Sequence, residues 1–466
     1  MKKFLAMAFA VILACGILAG CGGNADNSNK TDDSKFNISV AISNSESEVE
    51  LFKIWKKAYE EKHSDVNIVY ETFTEGETPT ETFIANKRSS RLSLPMMTWV
   101  SDTEAAYLAT EANFVDLRKF YEADSSTDYT NYYSSMLNLA SYTNEFKPTT
   151  AYNGSYSSDK SDDESYGIWF APRDYNKVTI AINKAIFKEL GVAVPEDDDT
   201  WDWEKLASTV QTLAEKIVAG GANTSRLRAI RLTLFWEPVY STILTELGGN
   251  CVIGEAGGKV TSTLDSAENV AVYKKLYNDI IKRDKAIDTD DNFSKNLTAM
   301  TVISRPKILD YVNKVEELDF LSFPAEKIGA GCSGYAIIAD DAEKTQTVGG
   351  VTKTNEELCW DFIKFIISEE GQNLGGKSGG IQPVLKSLET NGEWTKAIDA
   401  NLNHAAFAAG DELELNWYSK VTARNRTAVK TTVRDFFVQL EKATSESVIE
   451  SNAQAYKNNM NTALNK

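Results

Sequence analysis

Histidine is nearly absent from this sequence, which has only His63 and His404 among its 466 residues. Histidine is the usual acid–base group near neutral pH and a common zinc ligand. Its scarcity argues against a histidine-dependent enzyme and against a zinc site. We expect no metal ion and no other cofactor.

Cysteine is also scarce, and its spacing fits no metal site. Beyond the N-terminal region the chain has Cys251, Cys332 and Cys359, which allow at most one disulfide bond. Three buried free thiols are the simpler interpretation.

One acidic segment, Asp288-x-Asp290-x-Asn292, resembles the start of a calcium loop. Such a loop needs glycine where Phe293 stands and a bidentate glutamate where Ala299 stands. We therefore interpret the segment as a solvated acidic turn.

Positive charge is in deficit, since 49 Lys and Arg oppose 67 Asp and Glu for a net charge of −18. A surface of this sign repels nucleic acid and anionic lipid headgroups. We expect no nucleic-acid partner. A polyanionic ligand is disfavoured unless a local basic pocket overrides the field.

Long apolar runs are missing, apart from one of signal-peptide length at 4–17. Lys2 and Lys3 precede it and Leu18-Ala19-Gly20-Cys21 follows, which resembles the lipobox of bacterial lipoproteins. The resemblance implies a cleaved signal peptide over 1–20 and two acyl chains on Cys21, which anchor stably. It places the chain on the outer face of a bacterial cytoplasmic membrane, held by lipid only. Residues 21–35 are predicted to be the lipidated Cys and a flexible tether.

Periodicity indicates an α/β fold. Alternation at 37–42 predicts a strand, Ser47-x-x-Glu50 predicts a capping box that opens a helix through Lys62, and 66–70 predicts a second strand. Together they form a βαβ unit. Parallel strands present ligands at their carboxyl ends, so we expect Ser43, Asn44 and Glu46 to face a cleft.

The same pattern recurs along the chain. Strands are predicted around 178–182 and 334–339, and apolar stripes at helical spacing around 202–218, 273–280, 358–366 and 433–440. We interpret the stripes as core. The polar segment 156–165 is predicted to be a surface loop.

Several short motifs, in order and at consistent spacing, resemble those of sugar-type extracellular solute-binding proteins of ABC importers. They are Tyr166-Gly167-Ile168 with Pro172, Ile182-Asn183-Lys184-Ala185-Ile186-Phe187, Gly191-Val192 with Pro195 and Thr200-Trp201-Asp202, Leu247-Gly248-Gly249, Ala299-Met300, Trp360-Asp361-Phe362-Ile363-Lys364-Phe365, and Gly379-Gly380-Ile381-Gln382-Pro383-Val384. The sequence departs from the family pattern at Leu94-Pro95-Met96-Met97, where Pro-Asp-Val is common, and at Ile182, where Tyr is usual.

The resemblance implies a two-lobe, type II periplasmic-binding-protein-like fold with the ligand between the lobes. One lobe would take 36–174 plus 338–388, and the other 179–334 plus 392–466. The crossing segments would lie near 174–177, 334–337 and 390. The implied function is capture of a sugar or oligosaccharide for an ABC transporter permease, by a monomer that is not an enzyme.

A neutral sugar needs aromatic rings for its C–H faces and polar side chains for its hydroxyls. In maltose-type relatives a Trp-x-x-Asp similar to Trp99-x-x-Asp102 contacts ligand, and Asn176 aligns with an acidic contact. Arg173 and Asp174 could instead pair with each other. The complete set that we place in the cleft is Ser43, Asn44, Glu46, Trp99, Asp102, Arg173, Asn176, Trp236, Arg305, Tyr335 and Trp417.

Two other functions stay open at this level. The same fold could bind a polyamine, an organic anion or a metal chelate, and a dication would need several acids in the cleft. A surface glycosidase would need two carboxylates ~5–10 Å apart across a sugar. No segment of the sequence points to such a pair.

Overall fold

The structure is a computed structural model that describes residues 29–74, 79–110, 113–124, 131–143, 166–399, 401–408, 412–413, 421 and 423–465. The predicted signal peptide, Cys21, the loop at 156–165 and Trp417 lie outside these residues. The strands are β1 (Phe36–Ser43), β2 (Val66–Phe73), β3 (Met97–Ser101), β4 (Ser141–Thr143), β5 (Tyr166–Ile168), β6 (Ala171–Pro172), β7 (Asn176–Lys177), β8 (Thr179–Asn183), β9 (Arg228–Arg231), β10 (Ile253–Ala256), β11 (Lys259–Ser262), β12 (Thr298–Ile303), β13 (Leu318–Ser322), β14 (Ile328–Gly331), β15 (Ser333–Ile337), β16 (Thr345–Val348), β17 (Val351–Thr354) and β18 (Glu412–Leu413).

Helices fill most of the connections between these strands. They are α1 (Glu46–Lys62), α2 (Pro79–Ser89), α3 (Asp102–Thr110), α4 (Arg118–Ala123), α5 (Ser134–Leu139), α6 (Lys184–Leu190), α7 (Trp203–Ala219), α8 (Glu237–Glu246), α9 (Ala267–Leu276), α10 (Asn355–Ile367), α11 (Glu369–Lys377), α12 (Ala423–Leu440) and α13 (Glu446–Leu464). A π-helical turn, Tyr277–Ile281, continues α9. Every strand and helical stripe predicted above corresponds to one of these elements.

The first sheet has the strand order β2-β1-β3-β15-β6. Strand β1 pairs in parallel with β2 and with β3, which confirms the predicted βαβ unit. Strand β15 runs antiparallel to β3 and β6. Because β1 and β3 are parallel, Ser43 at the end of β1 and Asp102 directly after β3 lie at the same edge of the sheet.

The second sheet has the order β13-β8-β12-β9, and a small third sheet has the order β18-β14-β7. Strands β7 and β14 run antiparallel and carry the chain between the two larger sheets. The chain therefore crosses from one sheet to the other at 174–177 and again at 331–333, close to two of the predicted crossings.

Each large sheet has its own hydrophobic core. One core joins β1, β2, β3 and β15 to α1 and α10, and the other joins β8, β9 and β12 to α7, α8, α12 and α13. We call the first core with its sheet the first lobe, and the second core with its sheet the second lobe. The two-lobe mixed α/β fold that the resemblance implied is confirmed.

Helix α1 ends where predicted but begins earlier, so the predicted capping box is wrong. Its N-cap is Ser45, without a side-chain bond, and Glu46 and Glu48 occupy the first turn. Glu50 lies inside the helix and accepts a hydrogen bond from Lys53 at 2.8 Å. Strand β1 ends at Ser43, so the helix starts almost at once.

The predicted acidic turn forms, but Asp288 is buried rather than solvated. Its carboxylate accepts hydrogen bonds from the backbone N–H groups of Asp290 and Asn292 and from the Thr298 hydroxyl. Burial opposes ionisation, but these donors outweigh it and lower the pKa of Asp288. Asp288 thus closes its own turn.

Cys251, Cys332 and Cys359 are free thiols, as predicted. Cys332 and Cys359 are buried, and Cys251 is half-buried because it lies at the edge of the second core.

Candidate functional site

Asp102 stands where the first lobe meets the crossing segment. It follows the last residue of β3 and opens α3. Its backbone N–H donates to the carbonyl oxygen of Cys332 at 3.1 Å, between β14 and β15. The residue is only 8% exposed. This short strand-to-helix junction holds the Asp102 carboxylate against the strands that connect the lobes.

Trp236 approaches the same point from the second lobe. It is the half-buried N-cap residue of α8. A Cβ atom built on Gly331 lies 3.8 Å from Trp236 Cζ2 and 3.9 Å from Asp102 Oδ2. The indole ring and the carboxylate, one from each lobe, therefore border the same small space, which glycine leaves open.

Charged side chains of α8 and α12 lie near the Asp102 carboxylate. Glu237 Oε2 lies 2.6 Å from Lys430 Nζ, and both side chains are largely buried. Burial raises the pKa of Asp102 and Glu237 adds to the increase, whereas Lys430 and Arg426 oppose it. Helix α12 packs against α3, so these cations reach the first lobe from the second.

Two buried acceptor atoms at the site have no hydrogen-bond partner among the described residues. They are Asn176 Oδ1 and Glu237 Oε1. Asn176 stands directly opposite Gly331 in the β7–β14 ladder, so both residues face the same side of the sheet. The Asn176 amide nitrogen donates to Asp174 Oδ1 at 3.0 Å, which fixes its orientation. A buried acceptor without a partner costs about 1–3 kcal/mol of stability. A hydrogen-bond donor placed beside these two atoms would remove that cost.

Arg173 and Tyr335 lie behind this space in a closed polar network. Arg173 donates from both terminal nitrogens to Glu48, at 2.8 and 2.6 Å, and the Tyr335 hydroxyl donates to Glu48 at 3.2 Å. Arg173 Nε is 3.6 Å from Asp174, a secondary contact. Tyr335 is 1% exposed and Arg173 is 4% exposed. Their polar groups are directed inward, and contact of either residue with ligand stays a prediction.

Arg305 is entirely buried. Its guanidinium group lies between the rings of Trp394 and Phe407. It donates to the Trp394 carbonyl oxygen and contacts His404 Nδ1, each at 2.8 Å. Burial lowers the pKa of Arg305 to about 9. This position gives no support to the prediction that Arg305 contacts ligand, because the loop after β12 turns into a separate small core.

The remaining predicted residues lie along the edge of the first sheet. Ser43 is buried at the end of β1, and Asn44 and Glu46 are exposed. Trp99 is half-buried on β3, with its ring 6.2 Å from that of Phe73. Their part in ligand binding stays a prediction, and Trp417 lies outside the described residues.

Sequence inspection missed Glu48, Glu237, Gly331, Arg426 and Lys430. Glu237 directly follows Trp236. A charged residue at a helix start, next to a candidate stacking ring, could have indicated that Glu237 belongs to the site. Arg426 and Lys430 are four residues apart and therefore share a helix face. They lie beside the apolar stripe of α12, and this stripe was interpreted only as core.

Comparison with known proteins now identifies the family. A family model described as bacterial extracellular solute-binding protein matches residues 55–401. The chain belongs to this family. As a solute-binding protein it is a receptor and not an enzyme. A search of curated protein sequences finds no significant match.

Solved structures with the same fold include several binding proteins. An ABC substrate-binding protein of Listeria monocytogenes in complex with cycloalternan is 14% identical with a TM-score of 0.67, over 92% of this chain and 99% of that chain. The GacH receptor of Streptomyces glaucescens, solved unliganded and with acarbose, is 15% identical with a TM-score of 0.65, over 93% and 99%. The galacto-N-biose/lacto-N-biose I-binding protein of Bifidobacterium longum is 14% identical with a TM-score of 0.60, over 93% and 99%. At these identities the likeness establishes the fold of this solute-binding protein.

None of the helices that the structure describes is long and apolar enough to cross a membrane.

Proposed function

We propose that this solute-binding protein captures a sugar or oligosaccharide between its lobes and delivers it to an ABC transporter permease. The observation that carries the proposal is the space in front of Gly331. An indole ring from one lobe and a carboxylate from the other border it, and unpaired buried acceptors lie beside it.

The chemistry of these groups suits a neutral polyol. A sugar ring offers apolar C–H faces that pack on Trp236 and hydroxyl groups that donate to Asn176 and Glu237. Lys430 and Arg426 supply donors for ring and hydroxyl oxygens. The structures with acarbose, cycloalternan and lacto-N-biose belong to proteins of the same fold, which supports a carbohydrate for this chain too.

The charge balance argues against the other ligand classes. A polyamine would place cations beside Lys430 and Arg426, and an organic anion would place oxygen atoms against acceptors that need donors. A glycosidase function is not proposed, because the family is one of receptors.

We further propose that Cys21 carries a lipid anchor on the outer face of the cytoplasmic membrane, and that the protein acts there as a monomer. The support is the sequence of basic residues, apolar run and Leu18-Ala19-Gly20-Cys21.

A thermal-shift screen over sugars, polyamines, organic anions and metal chelates tests the ligand class. A ligand present at 100 times its Kd stabilises the folded state by ~2.7 kcal/mol, which is readily measured. We expect shifts with one group of saccharides, recovered unchanged after incubation. A shift with a polyamine or an anion, and none with saccharides, would refute the proposed ligand class.

A further inference from the structure

The N-terminal segment that we predicted to be part of a loose tether is partly bound to the first lobe. Asn29 donates from Nδ2 to the carbonyl oxygen of Tyr70 and accepts from the Tyr70 backbone N–H, each at 2.8 Å. The side-chain amide of Asn29 therefore pairs with β2 as a neighbouring strand would.

A second asparagine, Asn67 of β2, binds the same N-terminal segment. Asn67 Nδ2 lies 2.9 Å from the carbonyl oxygen of Lys30 and 2.8 Å from Asn37 Oδ1. Asn37 in turn donates to the carbonyl oxygens of Asp32 and Lys35 at 2.9 and 3.0 Å. We call residues 29–35 the clasp.

The clasp lies against the outer edge of the first sheet. Strand β2 is an edge strand, because it stands first in the strand order and pairs with β1 alone among the described strands. An edge strand presents unpaired N–H and C=O groups, which are normally covered. The strands nearest the crossing segments, β15 and β6, lie at the opposite end of the sheet.

We propose that the clasp docks the N-terminal segment on the outer edge of β2 and so makes this edge of the first lobe the part held next to the membrane. The docking rests on the contacts above, and its orientation at the membrane rests on the proposed anchor at Cys21. Seven residues lie between Cys21 and Asn29, a distance of eight residue steps, so the edge of β2 can stand at most roughly 28 Å from the lipidated residue. A tether free through residue 35 would reach nearly twice as far.

The arrangement has a mechanical consequence. The anchor is attached to one lobe only, at the edge remote from the crossing segments. The second lobe can then close on ligand without moving the anchor.

The docking is tested on soluble chains, independently of lipidation. We compare a chain that begins at Asn29 with one that begins at Lys35, and the parent with Asn29→Ala/Asn67→Ala. The exposed Asn391 supplies a matched control, Asn391→Ala. Hydrogen exchange of the Tyr70 amide should be at least about fivefold faster in the Lys35 chain and in the double variant, because its bond to Asn29 is lost. Equal rates in all chains would overturn the clasp.

The orientation is tested on nickel-chelating vesicles, to which a chain with a hexahistidine tag before residue 22 binds through the tag. A dye is placed at Leu92→Cys in the first lobe, between α2 and β3, or at Val218→Cys in the second lobe, both exposed positions, with Cys251→Ser in the background. Energy transfer to lipid acceptors should be greater from position 92, and Asn29→Ala/Asn67→Ala should reduce the excess, because the longer free tether lets the first lobe move away from the membrane. Equal transfer from both positions in the parent would overturn the orientation. A failure of the lipid anchor itself would appear in cell fractionation and leaves both tests intact.

Discussion

Trp236 is the side chain on which we expect ligand affinity to depend most. Its ring borders the space in front of Gly331 and is half-buried without ligand. Trp236→Ala should weaken sugar binding by about 1–3 kcal/mol, or ~5- to 150-fold, measured by calorimetry. Trp201→Phe is the control, because Trp201 is buried and donates to the Ser322 carbonyl oxygen at 2.8 Å. It should lower the melting temperature and leave the affinity unchanged. Parental affinity in Trp236→Ala would remove the ring from the site.

Two glycines of β14 offer a sharper contrast. Gly331→Ala places a methyl group at ordinary contact distance from Trp236 and Asp102, so it should reduce affinity while the protein remains stable. In Gly329→Ala the new carbon atom would lie 2.8 Å from the Pro238 carbonyl oxygen. That variant should lose roughly 1–3 kcal/mol of unfolding free energy and keep its affinity once folded. Binding isotherms and urea unfolding of both variants separate the two effects, and unchanged affinity in Gly331→Ala would contradict the assigned space.

At the scale of elements, helix α2 depends on a carboxylate of α3. Glu104 Oε1 accepts the backbone N–H groups of Thr80 and Glu81 at 3.0 and 3.1 Å. Burial raises the pKa of Glu104 from 4.5 to about 7, against the effect of these donors. The folded state therefore holds a proton that the unfolded state releases, and stability falls as pH rises from 4.5 to 7.

Glu104→Gln removes this titration and keeps an acceptor for α2. The variant should gain about 1–3 kcal/mol relative to the parent between pH 4.5 and 8. Urea unfolding at both pH values gives the difference, and Glu122→Gln at an exposed position of α4 serves as the control. Parallel pH profiles for parent and Glu104→Gln would show that Glu104 does not titrate in this range.

At this scale the sequence could predict the features that depend on residues close together in the chain. The strands around 37–42 and 178–182 have clear alternation, and Asp102, Asn176 and Trp236 each stand beside a strand or a helix start. The partners of these residues are distant in the chain. Nothing local links Glu48 to Arg173 or Asp102 to Lys430, so these pairings could not be predicted from the sequence. The N-cap of α1 was missed because Ser45 and Ser47 offer similar signals, and only the end of β1 decides between them.

At the scale of the whole molecule, binding must favour closure, because the groups around Gly331 come from both lobes. Small-angle scattering should show the radius of gyration falling when the protein is saturated with ligand. Asp102→Ala and Trp236→Ala should each reduce this compaction at a fixed sub-saturating ligand concentration, since each removes a contact from one lobe. An unchanged radius at confirmed saturation would show that the lobes do not close.

The proposed attachment of the molecule to the membrane depends on one side chain. Cys21→Ser removes both proposed acyl chains together, so the protein should move from the membrane fraction to the soluble fraction. Quantitative immunoblotting of the two fractions measures the change, with Cys251→Ser as the control. A Cys21→Ser protein that stays with the membrane as fully as the parent would disprove the anchor.

The absence of disulfide bonds among the described cysteines bears on the redox conditions in which this protein can fold. Many exported proteins depend on an oxidising compartment, because disulfides complete their fold. Here Cys251, Cys332 and Cys359 form no disulfide bond, and burial raises the pKa of the Cys332 and Cys359 thiols, which keeps them from forming the reactive thiolate. The hydrophobic cores of both lobes are complete without an oxidant. We therefore expect this receptor to fold in anoxic surroundings as readily as in air.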